Sequence, residues 1–105
     1  MEMDALTGQR RNGPASCRLR KPHSLPVELR ANVRELVKLH THAPSRNQGY
    51  ASELLSDLGK EADEAGIALM VSVDGEEWLS QWYARHGFDT VQREPVHVMV
   101  RAPHG

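Results

Sequence analysis

The sequence predicts an α/β (α+β) domain in which a mixed central sheet carries helices on its faces. Three observations support this class. Apolar periodicity alternates between strand and helix along residues 35–101, a segment at residues 67–73 that is apolar on both faces is typical of a covered strand, and Gly66 and Gly87 stand where two helices should end. The 105 residues, 39% hydrophobic and 26% charged, suit a single globular domain with a modest core.

The first 24 residues predict a flexible, basic N-terminal arm. They contain two glycines, two prolines and the basic pairs Arg10-Arg11 and Arg20-Lys21, with little apolar periodicity. Only residues 15–19 have the composition of a short strand. The globular domain is therefore expected to comprise residues 25–105.

Residues 26–39 fit both a helical stripe and the alternation of a strand. We divide the segment into one or two helical turns followed by a strand at residues 35–42. After a loop at residues 43–48, apolar residues that recur on one helical face predict a long helix, which Gly66 is expected to cap. Those apolar residues are Ala51, Leu54, Leu55, Leu58, Ala62 and Ala65.

The remaining elements follow in a regular order. A strand is predicted at residues 67–73, then a turn at Asp74-Gly75, and then a helix of about three turns that begins near Glu76. The apolar face of that helix is aromatic and consists of Trp78, Leu79, Trp82 and Tyr83. Two strands, at residues 88–92 and 96–101, complete the sheet.

Charge, cysteine content and hydropathy exclude several classes of protein. The formal net charge of −1 combines nine Lys/Arg and four Asp/Glu in residues 1–50 with four and ten in residues 51–105. Such a basic half can bind nucleic acid, a phosphorylated cofactor or the acidic half of the same fold.

Cys17, the only cysteine, can form neither an internal disulfide nor a cysteine zinc site. Because no apolar run approaches the roughly 20 residues of a membrane span and residues 1–6 lack a signal-peptide core, a cytoplasmic protein without membrane contact is expected.

The loop before the long helix, Arg46-Asn47-Gln48-Gly49-Tyr50-Ala51, is suited to binding an anion. The first N–H groups of a helix have no intrahelical partner, and the helix dipole favours negative charge there. Gly49 and Ala51 allow close approach to the backbone, and Arg46 can add a charged contact. The alternative is an ordinary helix start. Neither of the two common glycine-rich phosphate loops is present, which argues against nucleotide hydrolysis and dinucleotide redox chemistry.

Two motifs together resemble the GNAT family of N-acetyltransferases. The R/Q-x-x-G-x-G/A acyl-CoA signature of that family is matched by Arg46, Gly49 and Ala51, and its later Tyr-x-x-x-Gly-Phe motif by residues 83–88, which follow Trp82. The motifs have the family order, with a buried strand between them, and the resemblance covers residues 35–101. The short length and the closing residues 92–101 are similar to the small acetyltransferases of phage and prophage genomes.

The resemblance implies a minimal GNAT fold that uses acetyl-CoA. The first strand of the motif region and residues 67–73 would lie parallel and splay apart, so that the pantetheine arm enters the gap. Pro44 stands two residues before Arg46, where the family usually has three, which predicts a one-residue shift in strand register. The implied pyrophosphate ligands are the backbone N–H groups of Arg46, Asn47, Gln48, Gly49, Tyr50 and Ala51, and the implied pantetheine contacts are Thr41, His42 and Ala43.

Tyr83 resembles the family's tyrosine that meets the departing CoA thiolate. A free tyrosine titrates near ~10 and a thiol near ~8.5, so complete proton transfer would be uphill by roughly 2 kcal/mol. Tyr83 is therefore expected to donate a hydrogen bond to the thiolate. The alternative role is that of a core tyrosine on an aromatic helix face.

The acceptor amine must lose a proton, and three residues are candidate bases: Glu35, His40 and His42. A carboxylate or imidazole on the first strand can take the proton directly or through water, although each residue can equally be an ordinary polar strand position. His40 and His42 also share a strand face, but no other histidine has a recognised ligand spacing. No metal site is predicted.

These features predict an N-acetyltransferase that transfers the acetyl group directly to a primary amine on a protein (lysine or N-terminus) or a small molecule. The alternative is a catalytically inactive CoA-binding module, phage-encoded, that regulates or binds a partner. Because only 45 residues precede Arg46, the acceptor site is expected to be the less complete half, which a homodimer partner or the acceptor itself could complete. Nucleic-acid binding is not expected, since no aromatic residues interleave the basic arm.

Overall fold

The computed structural model describes residues 7–22, 32–41, 49–73 and 77–103. These residues form one six-stranded sheet in the order β1-β2-β3-β4-β6-β5, together with two helices. The strands are β1 (Gly8–Asn12), β2 (Ala15–Arg20), β3 (Val33–Thr41), β4 (Ala68–Val73), β5 (Asp89–Gln92) and β6 (His97–Arg101), and the helices are α1 (Tyr50–Ala65) and α2 (Glu77–Arg85). The predicted mixed α/β class is confirmed.

The sheet consists of two antiparallel halves joined by a short parallel seam. Strands β1, β2 and β3 pair antiparallel, as do β4, β6 and β5. The seam between β3 and β4 has three pairs, Val33↔Ala68, Arg34↔Leu69 and Glu35↔Met70. Beyond them β3 continues beside β2 and β4 continues beside β6, so the two parallel strands part as predicted.

A bulge interrupts β3 just beyond the seam. Opposite β2, Arg18 pairs with Val37 and Ser16 pairs with His40, so three steps along β3 match two along β2. The backbone of Lys38, with φ 55°, accommodates the extra residue. The bulge shifts the register by one residue, and Leu39 consequently packs against the same core as Leu36 although the two are three positions apart.

Helix α1 covers one face of the sheet with the apolar stripe seen in the sequence. Leu54, Leu55, Leu58 and Ala62 are buried against residues of both sheet halves. The helix ends as predicted at Gly66, whose φ of 68° permits the last-turn hydrogen bonds that cap it. The sheet residues of this core include Leu19, Leu36, Leu69, Val71 and Met99.

The prediction of a flexible arm is wrong for residues 8–20, which form the β1–β2 hairpin. Ala15, Cys17 and Leu19 are at most 2% exposed, and they alternate with polar or basic residues as a half-covered strand requires. The glycine and proline that suggested disorder are the turn of this hairpin. The described part of the arm therefore belongs to the domain.

The other element boundaries lie close to their predicted positions. Strand β3 begins two residues earlier than expected, and α2 begins one residue later than Glu76. The helical turns expected before β3 fall mainly on residues 23–31, which lie outside the described residues, as does the Asp74-Gly75 turn.

Candidate functional site

The site candidate is the open end of the seam, where residues 36–41 of β3 and 71–73 of β4 no longer pair with each other. Backbone groups on the facing sides of these segments lack a strand partner across the gap. Such groups gain free energy when a ligand supplies the missing hydrogen bonds. The gap is therefore suited to an extended ligand that carries amide groups.

Helix α1 begins at the same end of the sheet, and its start is open. Gly49, with φ 82° in the left-handed region, precedes the helix and provides no side-chain cap. The first intrahelical bond runs from the Glu53 N–H to the Gly49 carbonyl at 2.9 Å. The N–H groups that precede it have no acceptor within the helix, and the helix dipole makes this end attractive to an anion.

Only part of the predicted phosphate loop can be placed. Gly49, Tyr50 and Ala51 form the start of α1, and Tyr50 and Ala51 pack partly buried against the core. His42, Ala43, Arg46, Asn47 and Gln48 lie outside the described residues. The backbones of His40 and Thr41 pair with Ser16 and Ala15 at the end of β3.

Tyr83 is a core residue of α2 on the helix-covered face of the sheet. It is 4% exposed and makes edge contacts with Trp82 (5.1 Å between ring centroids) and Phe88 (5.3 Å). Burial, with a smaller effect of the Cys17 thiolate, raises the pKa of Tyr83 to about 12. The hydroxyl therefore strongly resists ionisation and keeps its proton.

Glu35 lies at the vertex of the split, as the last residue of β3 that pairs with β4. Because strand side chains alternate, Glu35 faces away from the core that contains Leu36 and Tyr83. Arg20 donates a hydrogen bond from Nε to Glu35 Oε1 at 2.9 Å, and the Glu35 side chain is 14% exposed. The carboxylate and the tyrosine therefore lie on opposite faces of the sheet.

A cleft of about 270 Å³ lies elsewhere, between the middle of α1 and the end of α2. Its lining includes none of the predicted site residues. Arg101 in this cleft is held by Asp63 through bonds of 2.8 and 3.1 Å, and its guanidinium packs over Gly59. Burial, with Arg85 beside it, lowers the pKa of His86, which also lines the cleft. At the open seam, by contrast, unpaired strand backbone lies beside a helix start without a side-chain cap, which makes it the candidate site among the described residues.

Two residues of the candidate site were missed by the sequence analysis. Asn12, the last residue of β1, and Gly13, in the turn that follows it, contact the first turn of α1. A glycine at the first position of a two-residue loop between alternating segments is a hairpin signal, and Gly13 could have located the turn but not its partner.

Metal and membrane features are absent from the part of the chain that the structure describes. No three His, Cys, Asp or Glu side chains there lie close enough to hold a metal ion. Neither α1 nor α2 is long and apolar enough to cross a membrane.

Comparison with solved structures identifies the architecture. An N-acetyltransferase from Staphylococcus aureus Mu50 matches with a TM-score of 0.68 at 17% identity, over 84% of this chain and 59% of that one. A GCN5-related N-acetyltransferase from Kribbella flavida matches at 0.66 and 19% identity over the same shares. The fold is that of the GNAT N-acetyltransferases.

A third match concerns a protein with its ligand. The PaiA N-acetyltransferase from Thermoplasma acidophilum, solved in complex with coenzyme A, matches with a TM-score of 0.64 at 16% identity, over 84% of this chain and 52% of that one. This chain thus spans between about half and 60% of the length of these three neighbours. No protein-family model matches the sequence, and no curated protein matches it. The similarity to phage acetyltransferases stays a prediction.

Proposed function

We propose that the chain binds acetyl-CoA at the open end of the seam and transfers the acetyl group to a primary amine. The observation that carries this proposal is the parting of β3 and β4 after Glu35 and Met70, beside the open start of α1. The gap accepts a chain with amide groups, and the helix start accepts phosphates. Acetyl-CoA carries both in one molecule.

The binding residues divide between these two features. The N–H groups of Gly49, Tyr50 and Ala51 would receive the pyrophosphate, together with Arg46, Asn47 and Gln48 of the preceding loop. Thr41, His42 and Ala43, at the end of β3 and just beyond it, would contact the pantetheine arm. We expect the loop to dominate affinity, because bonds to charged oxygens are stronger than neutral ones.

In the proposed reaction the neutral amine attacks the thioester carbonyl carbon, so that a C–N bond forms, the C–S bond breaks and the thiolate departs. An amine with a pKa near ~10.4 is neutral about once in 2,500 molecules at pH 7, which costs about 4.6 kcal/mol. Glu35, His40 and His42 remain the candidate bases for the amine proton. We favour Glu35, because it is the last residue of β3 before the strands part.

Tyr83 would stabilise the departing thiolate by donating a hydrogen bond. With the pKa of Tyr83 at about 12, complete transfer of its proton to a thiolate would cost about 5 kcal/mol. The residue therefore keeps its proton, which is the state that a hydrogen-bond donor requires. Substitution by phenylalanine should lower turnover and leave the affinity for CoA unchanged.

The proposal is tested by calorimetric titration of acetyl-CoA into the wild type and two variants, Gly49→Asp and Gly49→Asn. A Cβ at Gly49 would meet nothing within 4 Å, so both side chains fit and both carry the same strain from the positive φ. They differ in charge alone. We expect micromolar binding by the wild type and at least about tenfold weaker binding by Gly49→Asp than by Gly49→Asn. A folded wild type that does not bind acetyl-CoA would refute the proposal.

A second candidate is a CoA-binding module without turnover, which the ion pair between Arg20 and Glu35 favours. The Glu35 carboxylate would have to give up its charged hydrogen bond with Arg20 before that oxygen could accept a proton from an amine. The two functions separate in an assay of free CoA thiol with lysine peptides, small amines and polyamines as acceptors. Release that depends on an acceptor and declines in Glu35→Gln supports the transferase, whereas binding without release across the series supports the module.

A further inference from the structure

The turn of the β1–β2 hairpin packs directly on the first turn of α1. The Asn12 side-chain amide donates from Nδ2 to the Tyr50 carbonyl at 3.0 Å and to Glu53 Oε2 at 3.2 Å. Further along, Arg10 forms an ion pair with Glu61 at 3.3 Å. The hairpin and the helix are about 40 residues apart in sequence, so these contacts join two separate segments.

The Asn12 amide acts on the carboxylate closest to the open helix start. Glu53 is the acidic residue of the first turn of α1. A carboxylate there is attracted to the same N–H groups and dipole that would bind an anion. Because Asn12 donates to it, Glu53 is held on the side of the hairpin, and the helix start stays open.

Gly13 provides the second contact, through the ring of Tyr50. A Cβ on Gly13 would lie 3.4 Å from two carbons of that ring, and the φ of 57° at Gly13 also favours glycine. One edge of the ring therefore lies close to the backbone of the turn. Since Tyr50 is the first residue of α1, the turn fixes the position of the helix start from two directions.

We propose that Asn12 and Gly13 are positioning residues for an anion bound at the start of α1, an inference that rests on the proposed binding of acetyl-CoA. They do not touch the ligand. They hold the backbone of Tyr50 and the carboxylate of Glu53 so that the first-turn N–H groups point at the diphosphate. The N-terminal hairpin is by this inference part of the cofactor site.

The test compares Asn12→Ala with Gln92→Ala. Gln92 makes a matched bond in the other exposed hairpin, from its side-chain amide to the Val96 carbonyl at 2.9 Å. At a temperature well below unfolding, we expect Asn12→Ala to weaken acetyl-CoA binding about fivefold and Gln92→Ala to change it by less than about twofold. Asn12→Asp has the same shape but cannot donate, and its charge repels both Glu53 and the ligand, so it should weaken binding more than Asn12→Ala.

Hydrogen exchange of the free protein separates positioning from general stability. In Asn12→Ala the Glu53 and Leu54 amides should exchange faster than in the wild type, while the amides of β4 are unchanged. Equal acetyl-CoA affinity in the wild type and Asn12→Ala would overturn this inference and leave the proposed function intact, even where the unfolding temperature falls. A folded wild type without affinity would overturn the proposed function itself.

Discussion

The two ends of the β3–β4 seam differ in how many of their backbone groups are hydrogen-bonded and in how deeply their side chains are buried. At the closed end, three parallel pairs align, the Ala68 N–H donates to the Asn32 carbonyl at 2.9 Å, and Leu69 is fully buried. At the open end, beyond Glu35 and Met70, each strand retains only its antiparallel partner.

This difference shows how one short seam can serve stability and binding together. The three pairs at the closed end fix the point at which the two strands part. A preformed gap saves the ordering cost that a flexible site would incur on binding. Substitutions at the closed end should therefore change the stability of the fold, and substitutions at the open end should change affinity.

The largest expected effect is from Leu69→Ala at the closed end. Removal of a fully buried leucine side chain should lower the free energy of unfolding by about 2–5 kcal/mol. Ser72→Ala, at an exposed position of the same strand, should change it by less than about 0.5 kcal/mol. Urea unfolding of both variants measures the contrast. A loss below 1 kcal/mol in Leu69→Ala would mean that the closed end does not carry the stability assigned to it.

The free energy of unfolding should depend on pH in the alkaline range, because two ionisable side chains are buried in the core beside the open end. Burial raises the pKa of the Cys17 thiol from 9.0 to about 11 and that of Tyr83 from 10.0 to about 12. Above about pH 9 the unfolded chain therefore loses protons that the folded chain retains, and stability falls as the pH rises. The loss should reach about 4 kcal/mol between pH 9 and 12, roughly 2 kcal/mol from each group, as measured by urea unfolding at fixed pH values.

Two variants assign this pH dependence to its groups. Cys17→Ala should remove the part that begins near pH 9, and Tyr83→Phe should remove the part that begins near pH 10. If both variants kept the wild-type profile, these side chains would be hydrated rather than buried, and the contrast between a packed core and an open gap would be weaker than we infer.

The sequence was informative where a local pattern determines structure. The helical stripe of α1 and the cap at Gly66 need only neighbouring residues, and both were predicted correctly. The two motifs that contain Gly49 and Tyr83 are also local patterns, and together they predicted the fold. These signals have fixed spacings that do not depend on distant contacts.

The missed features all depend on residues far apart in sequence. Basic residues and a turn glycine occur both in flexible arms and in hairpins, so the sequence of β1 and β2 was interpreted as a flexible arm. Only burial against α1 distinguishes the hairpin from such an arm. The bulge at Lys38 exists because β2 and β3 pair in a particular register. The hydrogen bond of Asn12 joins it to Tyr50, which is 38 residues away in sequence, so no local pattern could predict it.

A smaller effect is expected at the ion pair that supports the closed end. Arg101 forms two bonds with Asp63, and their side chains are 12% and 25% exposed. Asp63→Asn should lower the free energy of unfolding by about 1–2 kcal/mol, because a largely buried guanidinium loses its carboxylate. Glu61 lies on the same helix as Asp63 and forms an exposed ion pair with Arg10 of β1. Glu61→Gln should lower the free energy of unfolding by less than about 0.5 kcal/mol. Equal losses would contradict the greater importance of the closed end.

The smallest effect on stability is expected at the edge strand β5, which is exposed along its whole length. Val91 and Val96 are 61% and 46% exposed, so Val91→Lys and Val96→Lys should each change the free energy of unfolding by less than about 0.5 kcal/mol.

An uncovered strand edge can pair with a second copy of the chain, and a charged lysine on that edge opposes such pairing. If the chain forms a homodimer through β5, sedimentation velocity should show a dimer in the wild type and a monomer in Val91→Lys at equal unfolding free energy. A dimer that persists in this variant would place the interface elsewhere, and a large loss of stability would show that the edge contributes to the fold as the closed end does.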